Sequence, residues 1–356
     1  MNIVNLDSYF KTVRGYDYED RLFRNLGASL VLATARSEDE IVQASRGCEV
    51  ILVEHADTPV TKGVIDRLDD CRLIAKYAVG FDNVDVAAAT ARGIIVCHAP
   101  NFCAEEVSDH AVALLLALAR RVVQFNNHVR QGGWFDLQVE PPLRRTKHRV
   151  LGLVGFGRIA RLVARKLKPF GVKILAYDPF LDPRSAEVEG ATLVSLERLF
   201  ADSDFVSVHT PLTEETRHFI CARLLALMKP TSFIVNTSRG PVIDEEALIQ
   251  TLREKRIAGA ALDVTEVEPL PASNPLRGLD NVILTPHQAA TSVESLVDVR
   301  ATIAASVEAF CKGYWPEFVV NRDVKPSRPL RSWQEFAQTK DRLARLDDAG
   351  QLVDLH

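Results

Sequence analysis

The sequence lacks the features that mark exported, membrane-spanning and metal-binding proteins. Its six cysteines are scattered over 356 residues, with no C-x-x-C pair and no His/Cys cluster at metal-ligand spacing. The longest apolar run, residues 111–119, has about half the length that a bilayer span requires, and the first residues do not resemble a signal peptide. We therefore expect a cytoplasmic protein with reduced thiols, no membrane segment and no bound metal.

The sequence also has little net charge. Forty-three Lys and Arg residues against 47 Asp and Glu residues leave a formal charge of −4, which gives no electrostatic reason to expect nucleic acid or an anionic membrane as a partner. The hydrophobic content of 47% is that of a globular protein. A chain of this length exceeds the size at which single cores stop growing, so we expect two domains and a small soluble ligand.

Short apolar runs alternate with helix-compatible stretches in two series. The first series covers about residues 29–98 and contains four strand candidates, and the second covers about residues 150–286 and contains seven. This alternation predicts an α/β protein with doubly wound parallel sheets.

Two long helices are predicted on either side of the second series. Residues 104–131 contain neither Gly nor Pro, start with acidic residues and end with basic ones, which predicts one long, buried helix. Residues 292–313 predict a second helix that packs back on the first domain. Beyond Asn321, a polar linker leads to a short appended helix capped by Ser332. The apolar stripe of that helix would consist of Trp333, Phe336, Leu343 and Leu346.

The strongest local motif is GFGRIA at residues 155–160, between an apolar strand and a helix. Gly155 permits a tight turn, Gly157 lets the backbone approach a pyrophosphate, and the small Ala160 allows close packing of helix and strand. The amides of Arg158 and Ile159 would then face the phosphates. The alternative is a glycine-rich turn without a ligand.

An acidic residue at the end of the next strand favours the dinucleotide interpretation. Asp178 follows Gly155 by 23 residues, where an acid can hydrogen-bond the adenine ribose. A carboxylate there repels a 2′-phosphate, so we expect NAD in preference to NADP.

Three ionisable residues follow later strands: Arg239, Glu268 and His287. Taken singly, they could be a surface charge, a loop acid and a strand-end histidine. In a doubly wound sheet, however, the carboxyl ends of the strands line one ligand crevice, which favours a shared site. A histidine can exchange a proton, a glutamate can orient the histidine ring, and an arginine can hold an anionic group.

At these positions the sequence resembles the D-isomer-specific 2-hydroxyacid dehydrogenases, from about residue 70 to residue 321. The resemblance rests on GFDNVD (80–85), EEVSDHAVALLLALAR (105–120), GFGRIA (155–160), YDP (177–179), VHTPLTEETRHFI (208–220), VNTSRGPVIDEEAL (235–248), ALDVTEVEP (261–269) and TPHQAA (285–290).

The resemblance implies an NAD-dependent D-2-hydroxyacid dehydrogenase, or 2-oxoacid reductase, acting as a homodimer joined partly through the long helix. It also implies a cleft between two domains, with hinges near residues 98–102 and 287–291. The implied parts are a flavodoxin-like substrate domain (1–100 with 288–321), a Rossmann NAD domain (101–287) and a C-terminal extension (322–356).

Site residues follow from the same resemblance. Arg239, Glu268 and His287 form the catalytic set, and the amides of Val79 and Gly80, together with Arg239, hold the substrate carboxylate. The expected cofactor-binding residues are Ser108, Gly155, Gly157, Arg158, Ile159, Asp178, His209, Thr210, Pro211, Thr216, Thr237, Ser238, Arg239, Asp263, His287 and Ala289.

Two further residues have alternative interpretations. Lys76, four residues before Gly80, is either a second anion contact of the substrate or a solvated lysine at a strand end. Trp134 either caps the cleft or packs in a subunit contact.

Thr265 stands where the family commonly has an aromatic residue, which would reshape the wall of the site.

A rival hypothesis is an NAD(H)-sensing regulator resembling the C-terminal-binding-protein corepressors, which retain the same Arg, Glu and His. The absence of a long Ser/Pro-rich or acidic tail favours the enzyme. The 35 residues after Asn321 are too few for the regulatory module of a phosphoglycerate dehydrogenase, and Glu268 stands where formate dehydrogenases have an amide.

Overall fold

The computed structural model describes residues 1–7, 17–55, 58–135, 138–338, 345–346 and 352–353. The chain divides into two compact units. Unit 1 comprises Met1–Phe102 and Ser292–His356, and unit 2 comprises Cys103–Thr291. Within the described ranges, no helix combines the length and the apolar character needed to cross a bilayer.

Unit 1 is built on a five-stranded, all-parallel sheet with the order β2-β1-β3-β4-β5, which is the flavodoxin-like order. Its strands are β1 (Asn2–Asn5), β2 (Ser29–Leu32), β3 (Val50–Val53), β4 (Leu73–Lys76) and β5 (Ile95–His98). Its helices are α1 (Asp17–Asn25), α2 (Glu38–Ala44), α3 (Lys62–Ile65), α4 (Val86–Ala91), α12 (Val293–Cys311) and α13 (Trp333–Gln338).

Helices cover both faces of this sheet, which explains why its central strand β3, Val-Ile-Leu-Val, is a continuous apolar run. All four residues of β3 and all four of β4 are buried. On one face Ile51 packs with Ile41 of α2, and on the other Leu52 packs with Val299 and Ile303 of α12. The predicted helix at 292–313 therefore belongs to the core of unit 1.

Strand β1 was not predicted from the sequence, although it lies between β2 and β3 in the sheet. Its four residues, NIVN, are too few to show a periodic pattern, and two of them are polar. Its place in the sheet comes from pairing on both sides, with Ile3 beside Leu30 and Val50.

Unit 2 is built on a seven-stranded, all-parallel sheet with the order β12-β11-β10-β9-β6-β7-β8. Its strands are β6 (Val150–Val154), β7 (Lys173–Tyr177), β8 (Ala191–Leu193), β9 (Phe205–Val208), β10 (Phe233–Asn236), β11 (Gly259–Leu262) and β12 (Val282–Leu284). Its helices are α5 (Ala104–Arg120), α6 (Val122–Arg130), α7 (Arg158–Leu167), α8 (Pro183–Val188), α9 (Leu196–Asp202), α10 (Ala222–Leu225) and α11 (Glu245–Arg253). Three 3-10 turns lie at Lys168–Phe170, Gly240–Val242 and Pro275–Gly278.

The strand order reverses between β6 and β9, as it does in Rossmann dinucleotide-binding domains. Ligands in such sheets bind at the carboxyl ends of the strands beside this switch point. The prediction of two α/β domains with doubly wound parallel sheets is confirmed.

The prediction of one unbroken helix over residues 104–131 is wrong. The helix ends at Arg120, and a second helix starts at Val122, because Arg121 adopts the left-handed conformation with φ of 55°. The side chain of Arg121 is buried, donates to the carbonyl of Ala258 and lies over the ring of Phe233. These tertiary contacts stabilise a break that helix propensity does not predict.

The tail helix forms only in part as predicted. Ser332 caps α13 by accepting from the amide of Glu335 at 3.3 Å, and Phe336 is buried against Tyr314. Leu346, however, lies in β13 (Arg345–Leu346), which pairs antiparallel with β14 (Leu352–Val353), so its assignment to the helical stripe is wrong. Strand residues alternate with period two and cannot continue a helical stripe. Leu343 lies outside the described residues.

Candidate active site

The glycine-rich turn connects β6 to α7 and leaves the start of that helix open. Gly155 has a φ of 84°, and a Cβ there would lie 2.9 Å from the carbonyl oxygen of His209, so a side chain does not fit. Gly157 precedes α7; a Cβ placed there would meet no described atom within 4 Å, and no side chain of the described residues caps the helix. The first amides of α7, including those of Arg158 and Ile159, are thus suited to a pyrophosphate.

Asp178 lies directly after β7 and beside the glycine turn. Its carboxylate accepts from the amides of Phe156 and Phe180, each at 3.0 Å. The turn itself is joined to β7 because the Gly155 amide donates to the carbonyl of Tyr177. A carboxylate offers about four acceptor positions, so Asp178 can still accept from ribose hydroxyls.

The loop after β9 contains four of the predicted cofactor residues, and hydrogen bonds to β6 and within the loop hold it in shape. The hydroxyl of Thr210 donates to the Val154 carbonyl at 3.1 Å, and the hydroxyl of Thr216 donates to the Pro211 carbonyl at 2.7 Å. Burial lowers the pKa of His209 to about 4, so its imidazole is neutral at neutral pH.

The loop after β10 carries Thr237, Ser238 and Arg239. The hydroxyl of Thr237 is buried and finds no hydrogen-bond partner among the described residues, as expected of a group that awaits a ligand. The amide and hydroxyl of Ser238 both donate to Oδ1 of Asn236, whose Nδ2 donates to the carbonyl of Arg239. Asn236 therefore organises the loop that presents Arg239.

His287 and Glu268 form a hydrogen-bonded pair, with Nδ1 of His287 2.6 Å from Oε2 of Glu268. The second carboxylate oxygen of Glu268 accepts from the Thr265 amide at 3.0 Å. Burial raises the pKa of the Glu268 carboxyl, but the hydrogen bond and charge of His287, the Thr265 amide and the charge of Arg239 outweigh it, so the pKa lies below its usual value. The carboxylate thus stays ionised and occupies Nδ1, which leaves Nε2 for proton exchange.

Asp263 holds the segment that carries His287. It is 2% exposed, and its carboxylate accepts from the hydroxyl of Thr285 and from the amides of Gln288 and Ala289. Its carbonyl accepts from the His287 amide at 2.8 Å. These bonds stabilise the left-handed backbone of His287, whose φ is 54°.

Two residues that were not predicted as site residues, Thr285 and His110, lie next to Asp263. The hydroxyl of Thr285 bridges Asp263 and His110, whose Nε2 lies 3.0 Å from it. His110 is in α5, far from β12 in the sequence, so no local pattern could relate it to Asp263. Its placement in the motif EEVSDHAV was the only available signal.

Ser108 is buried in α5, where its hydroxyl donates to the carbonyl of Glu105 and accepts from Lys166 at 2.7 Å. Its hydroxyl is therefore already engaged, and its assignment to the cofactor stays a prediction.

In unit 1, the predicted carboxylate-binding residues Val79 and Gly80 follow β4. Their amides donate to no atom of the described chain, and Val79 is exposed. Lys76, at the end of β4, is only 1% exposed, and its ammonium donates to the carbonyls of Glu54 at 3.0 Å and His55 at 2.5 Å. Lys76 is therefore not the solvated strand-end lysine of the simpler interpretation, and its role toward the substrate stays a prediction.

Comparison with known proteins assigns the chain to a family. Residues 112–289 match the family described as D-isomer specific 2-hydroxyacid dehydrogenase, NAD binding domain. The chain is 43% identical over 296 residues to a glyoxylate reductase of Korarchaeum cryptofilum, which covers 82% of this chain and 89% of that protein. The chain belongs to the D-isomer-specific 2-hydroxyacid dehydrogenase family.

Two other relatives show how widely the family extends. The D-3-phosphoglycerate dehydrogenase of Methanocaldococcus jannaschii is 38% identical over 300 residues, which are 84% of this chain and 56% of that protein. The crystal structure of D-lactate dehydrogenase from Aquifex aeolicus, complexed with NAD and lactic acid, is similar with a TM-score of 0.77 and 30% identity, covering 88% of this chain and 96% of that one.

These matches confirm the predicted family, its NAD cofactor and its reaction class. The protein is an NAD-dependent oxidoreductase of 2-hydroxy acids and 2-oxo acids that acts on the CH–OH group. The open start of α7, the acceptor positions of Asp178 and the unpartnered hydroxyl of Thr237 all fit that cofactor.

Proposed function

We propose that this protein reduces a small 2-oxo acid of the glyoxylate type to the corresponding 2-hydroxy acid. The pair of His287 and Glu268, 2.6 Å apart in an NAD-binding domain, is the observation that supports this proposal. The glyoxylate reductase of Korarchaeum cryptofilum, 43% identical, supports the choice of substrate class.

In the proposed reaction, His287 exchanges the proton of the substrate hydroxyl through Nε2. The Glu268 carboxylate holds Nδ1 and favours the imidazolium, which is the form that can donate a proton to a 2-oxo group. NADH, when bound, supplies the hydride to the carbonyl carbon. Arg239 is permanently charged and has several donors, so it can hold the substrate carboxylate and polarise the 2-oxo oxygen.

Cofactor and substrate are proposed to contact further residues. The amides of Val79 and Gly80 would donate to the substrate carboxylate. The residues assigned to NAD are Gly155, Gly157, Arg158, Ile159, Asp178, His209, Thr210, Pro211, Thr216, Thr237, Ser238, Arg239, Asp263, His287 and Ala289. Within this set, Asp178 would accept from the ribose hydroxyls and repel a 2′-phosphate.

The test is NADH oxidation with glyoxylate, hydroxypyruvate, pyruvate, phenylpyruvate and phosphohydroxypyruvate. We expect turnover with the small acids, and we expect His287→Ala to lose turnover while it still binds NADH, as measured by nucleotide fluorescence. Wild-type turnover by the variant would contradict the assignment of His287. If no acid is reduced although NADH binds, the NAD(H)-sensing regulator replaces the enzyme.

We also propose a homodimer formed partly through α6 and the segment after it. Exposed apolar side chains cluster in this stretch of unit 2, and a second copy would remove them from water. They are Val122, Val129, Trp134 and Phe135. Light scattering after gel filtration measures the mass, and Val129→Asp should shift it toward the monomer. A wild-type monomer at micromolar concentration would contradict this proposal.

A cytoplasmic location is proposed on the state of the cysteines. All six lie among the described residues, and all six are free thiols. Fractionation of cells that express the full chain tests this location.

A further inference from the structure

His98 lies at the carboxyl end of β5, next to the loop that contains Val79 and Gly80. Its Nδ1 is 2.8 Å from the carbonyl oxygen of Val79. Because a carbonyl oxygen can only accept, Nδ1 must carry the hydrogen of this bond. The edge-to-face contact with Phe81, with ring centroids 5.4 Å apart and planes at 87°, holds the imidazole in this orientation.

The hydrogen bond of His98 also sets the direction of the next amide. The carbonyl of Val79 and the N–H of Gly80 belong to one planar, trans peptide group, so the two bonds point in opposite directions. With its carbonyl turned toward His98, the Gly80 N–H must point away from β5.

The preceding peptide group is held in the same way. The carbonyl of Ala78 accepts from the Ala99 amide at 3.1 Å, so the Val79 N–H points away from Ala99. The amides of Val79 and Gly80 thus both lack a partner in the described chain and both point away from their anchors on residues 98 and 99. Ala99 donates through its backbone N–H, which every residue except proline supplies, whereas the anchor of the Gly80 peptide is a side chain.

We propose that His98 is a positioning residue, which orients the Gly80 amide toward the carboxylate of the 2-oxo acid. This inference rests on the proposed function, because it takes Val79 and Gly80 as the carboxylate donors. His98 touches neither the reacting carbon nor the cofactor in this scheme. It therefore acts on substrate binding and leaves the proton and hydride steps unchanged.

Burial supports a single form of the ring near neutral pH. It lowers the pKa of the His98 imidazole, although the bond to the Val79 carbonyl opposes the shift. The neutral ring with its hydrogen on Nδ1 is then the form that orients the loop.

The test compares His98→Asn with His98→Leu. Asparagine places an amide N–H close to the position of Nδ1 and keeps the donor, whereas leucine has similar bulk without a donor. For His98→Leu we expect the KM for glyoxylate to rise roughly 10-fold, the size of effect expected when one bond to a charged group is lost. We expect kcat to stay within about threefold and the Kd for NADH to stay unchanged. His98→Asn should restore the wild-type KM.

A second readout separates positioning from general damage to the fold. Oxamate carries the same carboxylate but cannot be reduced, so its inhibition constant should rise in parallel with the KM in His98→Leu. If His98→Leu fails to fold, His98→Asp replaces it, since aspartate matches asparagine in size but offers no donor when ionised.

The outcomes distinguish this inference from the function on which it rests. A wild-type protein that reduces no 2-oxo acid overturns the proposed function. An active wild type whose donorless variants keep its KM and its oxamate inhibition constant overturns only the role of His98. A fall in kcat with an unchanged KM also overturns it.

Discussion

A single methyl group at Gly240 would push apart the two loops that carry Arg239 and Glu268. A Cβ built on Gly240 lies 1.9 Å from the carbonyl oxygen of Thr265 and 2.6 Å from the amide nitrogen of Glu266. Both are backbone atoms, so no side chain can rotate away. Restoring the 3.0 Å that real Cβ atoms respect requires a displacement of about 1.1 Å (3.0 − 1.9).

This displacement is large on the scale of catalysis. Gly240 follows Arg239 directly, and the Thr265 amide holds the carboxylate of Glu268. A misplacement of about 1 Å typically costs on the order of 100-fold in rate, so we expect Gly240→Ala to lower kcat about 100-fold. The glycine turn at residues 155–157 is not part of this contact, so the variant should still bind NADH, with a Kd that rises less than kcat falls.

The assay is steady-state NADH oxidation with the 2-oxo acid that the wild type reduces best. Gly278→Ala is the matched control, because no described atom lies within 4 Å of a Cβ at that position. It should keep wild-type kcat. A kcat for Gly240→Ala within threefold of wild type would refute the reasoning that the contact between these loops sets the site geometry.

Three further predictions concern charge. Glu268→Gln should lower kcat for reduction about 100-fold, because a neutral amide gives the proton-donating ring of His287 no charged partner at Nδ1; a kcat within threefold of wild type would contradict this. The pKa of His209 is about 4 in the folded protein, against an ordinary value of 6.5, so the unfolded chain binds the proton first as the pH falls. The free energy of unfolding should therefore fall by on the order of 2–3 kcal/mol between about pH 6.5 and about pH 4. His209→Gln should flatten this part of the urea-unfolding profile, and an unchanged slope would rule out His209 as its source. Glu19→Gln should lower the free energy of unfolding by about 3–5 kcal/mol in the same assay, because the buried Arg300 guanidinium loses the carboxylate that it holds with two hydrogen bonds. The double replacement Glu19→Leu with Arg300→Met should lower it by less, because it removes both charges. Equal losses in the two variants would contradict this.

Local sequence carried most of the information about the NAD-binding unit. Gly155 is required by a backbone at φ 84°, and Asp178 directly follows the neighbouring strand, so both could be recognised from spacing alone. All seven strands of this unit correspond to apolar runs that the sequence analysis identified. Buried parallel strands have to be apolar on both faces, which makes them visible in a single sequence.

Features that depend on distant partners were missed. Arg121 breaks a helix because Ala258 and Phe233 hold its side chain, and no residue near position 121 indicates that break. The two-residue strand at Leu346 depends on pairing with a later segment. The bond between Thr285 and His110 joins residues 175 positions apart.

The sequence by itself determined the class of fold and predicted the dinucleotide turn and Arg239, Glu268 and His287 as the catalytic set, because each depends on residue type and on position relative to a strand. Only the tertiary structure decided how these groups are held. It joined His287 to Glu268 at 2.6 Å, made Asp263 the anchor of the His287 segment and placed the ring of His98 against the Val79 carbonyl. Hydrogen bonds require donor–acceptor distances of about 2.7–3.2 Å, and here they join residues far apart in the chain. Periodicity and composition do not encode positions to within a few tenths of an ångström.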